Sequence, residues 1–284
     1  MTAEEYIRAG QVAEALAALQ QSVRKSPADA KLRVFLFQLL SVLGDWQRAL
    51  TQLNVLADMD ADSSMLARIF TPVLNLEALR ADVFAGKRSP LIFGEPPPWM
   101  GKLLQAAQLI GQDNFAAASE LREQAFEEAP SVPGTVNGQP FEWLADADSR
   151  LGPVLEAYLD GKYYWIPLAR VRTMVMDAPK DLRDLVWLPA QFVWANGGEA
   201  SGFIPTRYPG SESSPDSAVK LSRKTEWLQP AEGVYLGLGQ RLFATNQTDY
   251  PLLDVRNIEF THGEEAPAAD AAATATPAAE TASP

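Results

Sequence analysis

The sequence predicts a two-domain α+β protein: an N-terminal α-helical repeat domain followed by a small antiparallel β-rich domain, barrel-like in its strand pattern. Three observations carry this. Before residue 130 the apolar residues recur with a helical period, and one helix-turn-helix unit repeats itself. After Gly161 the segments become short, β-branched and aromatic, and are cut by Gly, Pro and Asn. Between them, Pro130, Ser131, Val132, Pro133 and Gly134 are too rich in Pro and Gly to continue a helix. The expected divisions are 1–130 for the helical repeats, 131–262 for the β-rich part, and 263–284 for an acidic Ala/Pro tail. Such a tail cannot form a core and is expected to be disordered.

Taken in order, the first helical unit places Gly10, Val12, Ala15, Leu16 and Leu19 where the second places Gly44, Trp46, Ala49, Leu50 and Leu53. The offset is about 34 residues, the length of a tetratricopeptide unit. Glycine permits the tight turn, the bulky residue fills the gap between paired helices, and alanine lets two backbones approach. Ser26 and Pro27 stop a helix, and Asp29 can start the next. A long helix is expected over 62–86, with Leu66, Ile69, Phe70, Val73, Leu76, Leu79 and Phe84 on its apolar side and Pro72 kinking it or near its start. Residues 87–98 read as a loop and 100–110 as a helix. A weaker third echo runs from Gly111 through Phe115 and Ala118 to Leu121. So short an array must bury its open end, and the β-rich part is expected to cover it.

Candidate strands follow at 163–166, 171–176, 185–188, 192–195, 203–204, 225–228, 233–238, 241–244 and 252–259. Asn196, Gly197 and Gly198 form a strong hairpin signal. Residues 179–185 read as a short helix and 209–216 as an exposed loop. The pattern suggests a small barrel or sandwich.

Composition narrows the chemistry. The 284 residues are 47% hydrophobic and contain no cysteine, so disulfides, thiolate nucleophiles and cysteine metal sites are excluded. The only histidine is His262, which rules out a histidine triad or a His-rich metal centre. No cofactor is indicated. Residues 94–102 depart from a phosphate loop, because three prolines remove backbone donors and Leu103 stands where Ser or Thr is needed. Gly237 and Gly239 begin a dinucleotide fingerprint, but Leu242 replaces its third glycine. The formal charge of −12 disfavours nucleic acid as a partner, with Lys220, Arg223 and Lys224 the best local exception. No apolar run suits a bilayer, and Glu4 and Glu5 occupy the place of a signal peptide's positive charges. The expectation is a soluble cytoplasmic protein without membrane insertion.

Asp146, Asp148 and Glu156 are the densest acids near structural breaks. One reading pairs two of them as acid and base of a carboxylate-based hydrolase. The other makes Asp146, Asp148 and Arg150 a structural polar cluster, in which an acid pairs with Arg150 or caps a helix start near Pro153. The structural reading is preferred, because acids on one turn rarely straddle a substrate. The aromatic load of the β region (Trp143, Tyr163, Tyr164, Trp165, Trp187, Trp194, Trp227 and Tyr235) is mostly core material. Arg207, Tyr208 and Trp227 are the candidates for an exposed, partner-binding surface, since Trp, Tyr and Arg dominate binding hot spots. The helical groove is the other candidate surface.

Six segments together resemble the ImpE/TagJ family, accessory proteins of bacterial type VI secretion. They are 141–153 with the aromatic run 161–167, then 181–187, 202–210, 225–227 and 237–241. The resemblance extends from near the N-terminus to about Phe260. It implies a non-catalytic cytoplasmic adaptor for the secretion sheath, with the small sheath subunit TssB and the disassembly ATPase ClpV as partners. A scaffold of tetratricopeptide type serving another complex is the alternative.

Overall fold

The computed structural model describes residues 1–262; the expected disordered tail, 263–284, lies outside them. Seven helices come first: α1 (Ala3–Arg8), α2 (Val12–Lys25), α3 (Ala30–Val42), α4 (Trp46–Ala57), α5 (Ala61–Phe84), α6 (Pro98–Gly111) and α7 (Phe115–Glu128). Their starts are written in the sequence. Thr2 and Glu5 form a capping box, and the Asp29, Asp45 and Asp60 side chains accept from Leu32, Arg48 and Ser63 backbone N–H groups. Successive helices pack against one another, α1 to α5 in series and α6 against α7. Ala15 and Ala49 are fully buried, as the repeat requires. Pro72 sits inside α5, which spans 24 residues.

The β region follows. A nine-stranded sheet has the order β1-β6-β5-β9-β8-β7-β14-β2-β3. Its strands are β1 (Leu91–Ile92), β2 (Gly134–Val136), β3 (Gln139–Phe141), β5 (Val154–Leu159), β6 (Lys162–Pro167), β7 (Val171–Met176), β8 (Trp187–Trp194), β9 (Glu199–Pro205) and β14 (Asn257–Phe260). All pairings are antiparallel except β1 with β6. A three-stranded sheet joins β4 (Leu144–Asp146), β12 (Leu242–Thr245) and β13 (Asp249–Pro251), and a ribbon joins β10 (Thr225–Ala231) to β11 (Val234–Gly239). One short helix, α8 (Ser217–Lys220), interrupts the region.

The expected barrel does not close. The sheet ends at two short edges, β1 and β3, which do not pair with each other. The first edge comes from the loop between α5 and α6, where no strand was expected. Closure is also unnecessary for burial, because the helices cover one face and the sheet's other face packs against β4, β12 and the 252–255 turn. Strand β5 shows the result: Val154 and Tyr158 join the helical core, while Leu155, Ala157 and Leu159 join the second core. Every residue of β5 is buried. The helix start considered near Pro153 is therefore replaced by a central strand with no polar face. Two expected strands also begin late: residues 182–185 and 252–254 are single 3-10 turns preceding β8 and β14.

One core unites the helices with the sheet. Phe37, Phe70 and Phe84 of the helices pack with Tyr158, Tyr163, Trp165 and Trp187 of the strands. Phe70 lies 5.8 Å from Trp187, and Phe84 lies 5.8 Å from Trp165, centroid to centroid. Each such buried ring contributes about 1.5–3 kcal/mol. The open end of the array is thus covered by the sheet, as its short length demanded. Gly44 marks the closeness of the join: a Cβ there would fall 2.4 Å from the side chain of Glu212, and its φ is +71°.

Candidate functional site

Charged residues occupy the seam between helices and strands. Four arginines (Arg80, Arg150, Arg207, Arg241) and four acids (Glu77, Asp146, Asp148, Glu156) are buried there. Burying an unpaired charge costs several kcal/mol, so each must find a partner.

Glu156 is the hub. Arg80 Nε donates to its Oε1 at 2.7 Å, Arg80 Nη2 to its Oε2 at 3.1 Å, and the Tyr163 hydroxyl to Oε1 at 2.6 Å. Arg241 bridges Glu156 and Asp146, one guanidinium nitrogen to each. The Trp165 indole N–H in turn donates to the Tyr163 hydroxyl at 2.8 Å. Burial alone would raise the Glu156 pKa, but the two guanidinium groups outweigh it and hold the carboxyl at about 2. Asp146 has one guanidinium, and Asp148 and Glu156 are acidic neighbours. There burial prevails and pushes the carboxyl up to about 6. Burial also drives the Tyr158 and Tyr163 phenols well above their ordinary range, so both act as neutral donors.

Glu77 belongs to the same seam. It accepts from the Tyr158 hydroxyl at 2.7 Å and the Trp187 indole N–H at 2.6 Å, with Arg80 at 3.7 Å. Sequence reasoning overlooked Glu77 and Arg80. A signal was present: Val73, Glu77, Arg80 and Phe84 are spaced four, three and four residues apart, on one buried stripe of α5.

Asp146, Asp148 and Arg150 lie in this seam, all three buried. Arg150 and Asp148 pair at 2.5 Å, and Asp148 also accepts from the backbone N–H groups of Arg150 and Gly237 at 2.9 and 2.7 Å. Asp146 accepts from the backbone N–H of Asp148 at 2.9 Å and from the Tyr208 hydroxyl at 3.1 Å, and its ionic partner is Arg241 rather than Arg150. The two acids brace successive turns, so their oxygens are engaged from within the chain.

The expected exposure of Arg207 and Tyr208 is not found; both are buried. Arg207 crosses the seam and donates to the carbonyls of Val42 and Lys220 at 2.7 and 2.6 Å and of Ser41 at 3.3 Å. The first and third end helix α3, whose terminal carbonyls lack intrahelical partners and carry its negative dipole end. Burial lowers the Arg207 pKa to about 10. Tyr208 packs flat on Gly237, where a Cβ would meet its ring at 2.2 Å. The polar tips of both residues found internal partners, which is why residue type alone misplaced them. Trp227 does reach the surface, 37% exposed, with its ring 5.6 Å from Tyr208.

Two cavities open on this part of the molecule. One, of about 480 Å³, lies between the end of α5, α6 and Trp165. The other, of about 360 Å³, lies between α7, residues 146–149 and Gly233. Among the described residues no group of His, Cys, Asp or Glu is placed to hold a metal, and no helix is long and apolar enough to cross a membrane.

Comparison with known proteins agrees with this geometry. Residues 138–259, which carry nearly all of the sheet and the seam acids of the β region, match the family described as ImpE protein. Residues 6–69 match the tetratricopeptide repeat. The type VI secretion system accessory component TagJ of Pseudomonas aeruginosa is 48% identical over 260 residues, covering 92% of this chain and 91% of that protein. A crystal structure of a Vibrio parahaemolyticus protein superposes with a TM-score of 0.82 at 27% identity, over 92% of this chain and 98% of the other. At 48% identity along nearly the whole length of both proteins, the chain belongs to the ImpE/TagJ family of type VI secretion accessory proteins.

Proposed function

We propose that the protein is a non-catalytic cytoplasmic adaptor of a type VI secretion system. It binds the small sheath subunit TssB and links contracted sheath to the disassembly ATPase ClpV. The observation that carries this reading is the near full-length similarity to a type VI accessory component. The architecture supports it. A helical repeat array offers a surface for peptide segments, and a sheet fused to it through one core holds that surface rigidly.

The seam acids favour binding over catalysis. A general acid and base need free oxygens facing a substrate. Those of Asp148 and Glu156 are taken by Arg150, Gly237, Arg80, Tyr163 and Arg241. The test is co-purification of the full chain from an extract containing a type VI system, with bound proteins identified by mass. Recovery of TssB or ClpV supports the reading. Absence of both, with another complex recovered, overturns it in favour of a scaffold for a different assembly.

A further inference from the structure

The helical repeat is preserved down to single hydrogen bonds at the ends of α1 and α3. Past α1, the N–H groups of Ala9, Gly10 and Gln11 donate to the carbonyls of Glu5, Ile7 and Tyr6. Past α3, those of Leu43, Gly44 and Asp45 donate to the equivalent carbonyls of Leu39, Ser41 and Leu40. One arginine of the β region then clamps each end. Arg223 donates to Ile7 and Arg8 at 2.8 and 3.1 Å, and Arg207 to the equivalent Ser41 and Val42 at 3.3 and 2.7 Å. A helix end carries unpaired carbonyls and a negative dipole, which suits a guanidinium. Helix α1 therefore takes the place in its repeat that α3 takes in the next, and the β region holds the two alike.

The two clamps differ in how firmly they are set. Arg207 is buried, also reaches the Lys220 carbonyl at 2.6 Å, and its own carbonyl accepts from Arg80 at 2.8 Å. Arg223 is exposed, and among the described residues its side chain has no acidic partner. Among those residues its two bonds are also the only hydrogen bonds or ion pairs between the β region and α1 or α2. Its aim is nevertheless enforced. Ser222, just before it, has φ +54°, a left-handed conformation that residues other than glycine seldom adopt. The buried Ser222 is held there by its hydroxyl, which donates to the Leu185 carbonyl at 2.7 Å, and by its carbonyl, which accepts from the Gln240 side chain at 2.8 Å. Backbone strain retained in this way marks a side chain whose placement matters. On the other side of the clamp stands Gly10, with φ +76° and no atom crowding the place of a Cβ, a free pivot after α1.

We propose that α1 is a lid on the helical array and Arg223 its latch. Closed, two hydrogen bonds from one exposed guanidinium hold the 6 residues of α1 to the β region. Open, α1 turns about Gly10 and uncovers the face of α2 on which it packs, while α3 and α5 stay fixed by the buried bonds of Arg207, Glu77 and Arg80. Ala3 is the one fully covered residue of α1, and hydrogen bonds made in water contribute little net free energy. The lid thus belongs to the low-stability end of the fold, where a segment opens without global unfolding. It works alike whichever protein the array binds, so it stands apart from the adaptor reading.

The experiment follows amide exchange of the full chain by mass spectrometry in the wild type, Arg223→Ala and Arg68→Ala. Arg68 is exposed on α5, so its loss gives the same charge change without removing the latch. The expected result is exchange about 10-fold faster over residues 5–11 in Arg223→Ala alone, with α3 to α5 at wild-type rates. Unchanged exchange over residues 5–11 overturns the latch. An equal rise across α3 to α5 also overturns it, since the loss of stability is then general. The same rise in Arg68→Ala overturns it by showing that net charge suffices. TssB takes no part in these measurements, so each of these failures leaves the adaptor reading standing.

Discussion

Replacing Glu156 by glutamine should be among the most damaging single-atom changes available to this fold. The carboxylate is fully buried and receives hydrogen bonds from Arg80, Tyr163 and Arg241. Glutamine keeps the volume but removes the charge, and its amide group must point donors at other donors. Arg80 then retains Glu77 at 3.7 Å, and Arg241 retains Asp146. Breaking one member of a buried ionic set costs about 3–5 kcal/mol, because the remaining charges stay desolvated without compensation. For a chain of this size each kcal/mol shifts the melting point by about 2–4 °C, so the expected fall is about 6–20 °C. The assay is thermal and urea unfolding followed by tryptophan fluorescence, since buried Trp165 and Trp187 lie in the same seam. Glu128→Gln is the control. It removes a surface pair with Lys102 and should cost less than ~1 kcal/mol. A Glu156→Gln protein within about 1 kcal/mol of wild type would refute the account of the seam as a mutually dependent charge set.

Acid should act on the two linked carboxylates in opposite directions. The Asp146 pKa stands at about 6, against 3.8 unfolded, so the folded chain holds a proton that the unfolded chain has lost. Wild type should therefore gain on Asp146→Asn by roughly 2 kcal/mol as pH falls from 7 to 4, read from urea midpoints; a constant gap would contradict this. Glu156, held at about 2 against 4.5, contributes stability that is present above pH 4.5 and lost toward pH 2, and the wild-type advantage over Glu156→Gln should shrink in that window. Arg207→Lys keeps the charge but not the fork that reaches Val42, Lys220 and Ser41. It should lose about 2–3 kcal/mol and speed amide exchange just beyond α3, which an unchanged exchange pattern would disprove. Truncation after His262 should leave TssB affinity unchanged in calorimetry; lost affinity would give residues 263–284 a role in binding.

How much of this was legible in the sequence follows from the range of the interactions involved. Local signals were readable. The aspartate cap at 29 acts over three residues, the glycine-alanine repeat acts within one helical pair, and Asn196 and Gly197 turn one hairpin. The pairing of Asp148 with Arg150 spans two residues and was readable for the same reason. Strand β5 was not, because alternation between two apolar cores leaves no polar phase, and an acid such as Glu156 then resembles a helix residue. The edge strand β1 was not, because its partner β6 lies more than 70 residues away.

The misplacement of Arg207 has the same origin and points to why the seam exists. Its partners are 13, 165 and 166 residues distant, and Arg80 and Glu156 are 76 apart. The contacts of Arg80 with Glu156 and of Arg207 with the end of α3 join segments that only the finished fold brings together. An apolar seam of equal volume would be as stable or more so, but it could slide. Directional bonds from Arg80 to Glu156 and from Arg207 to the end of α3 fix the register of helices on sheet. On the proposed adaptor function, a fixed register would matter more than a few kcal/mol of additional burial. If so, substituting Glu77, Arg80, Asp146, Glu156 and Arg241 together by apolar residues of similar volume, so that none of these charges is left buried without its partner, should preserve or raise stability while broadening amide exchange across the seam. A combined variant that instead unfolds would show that the charges stabilise the fold rather than position its parts.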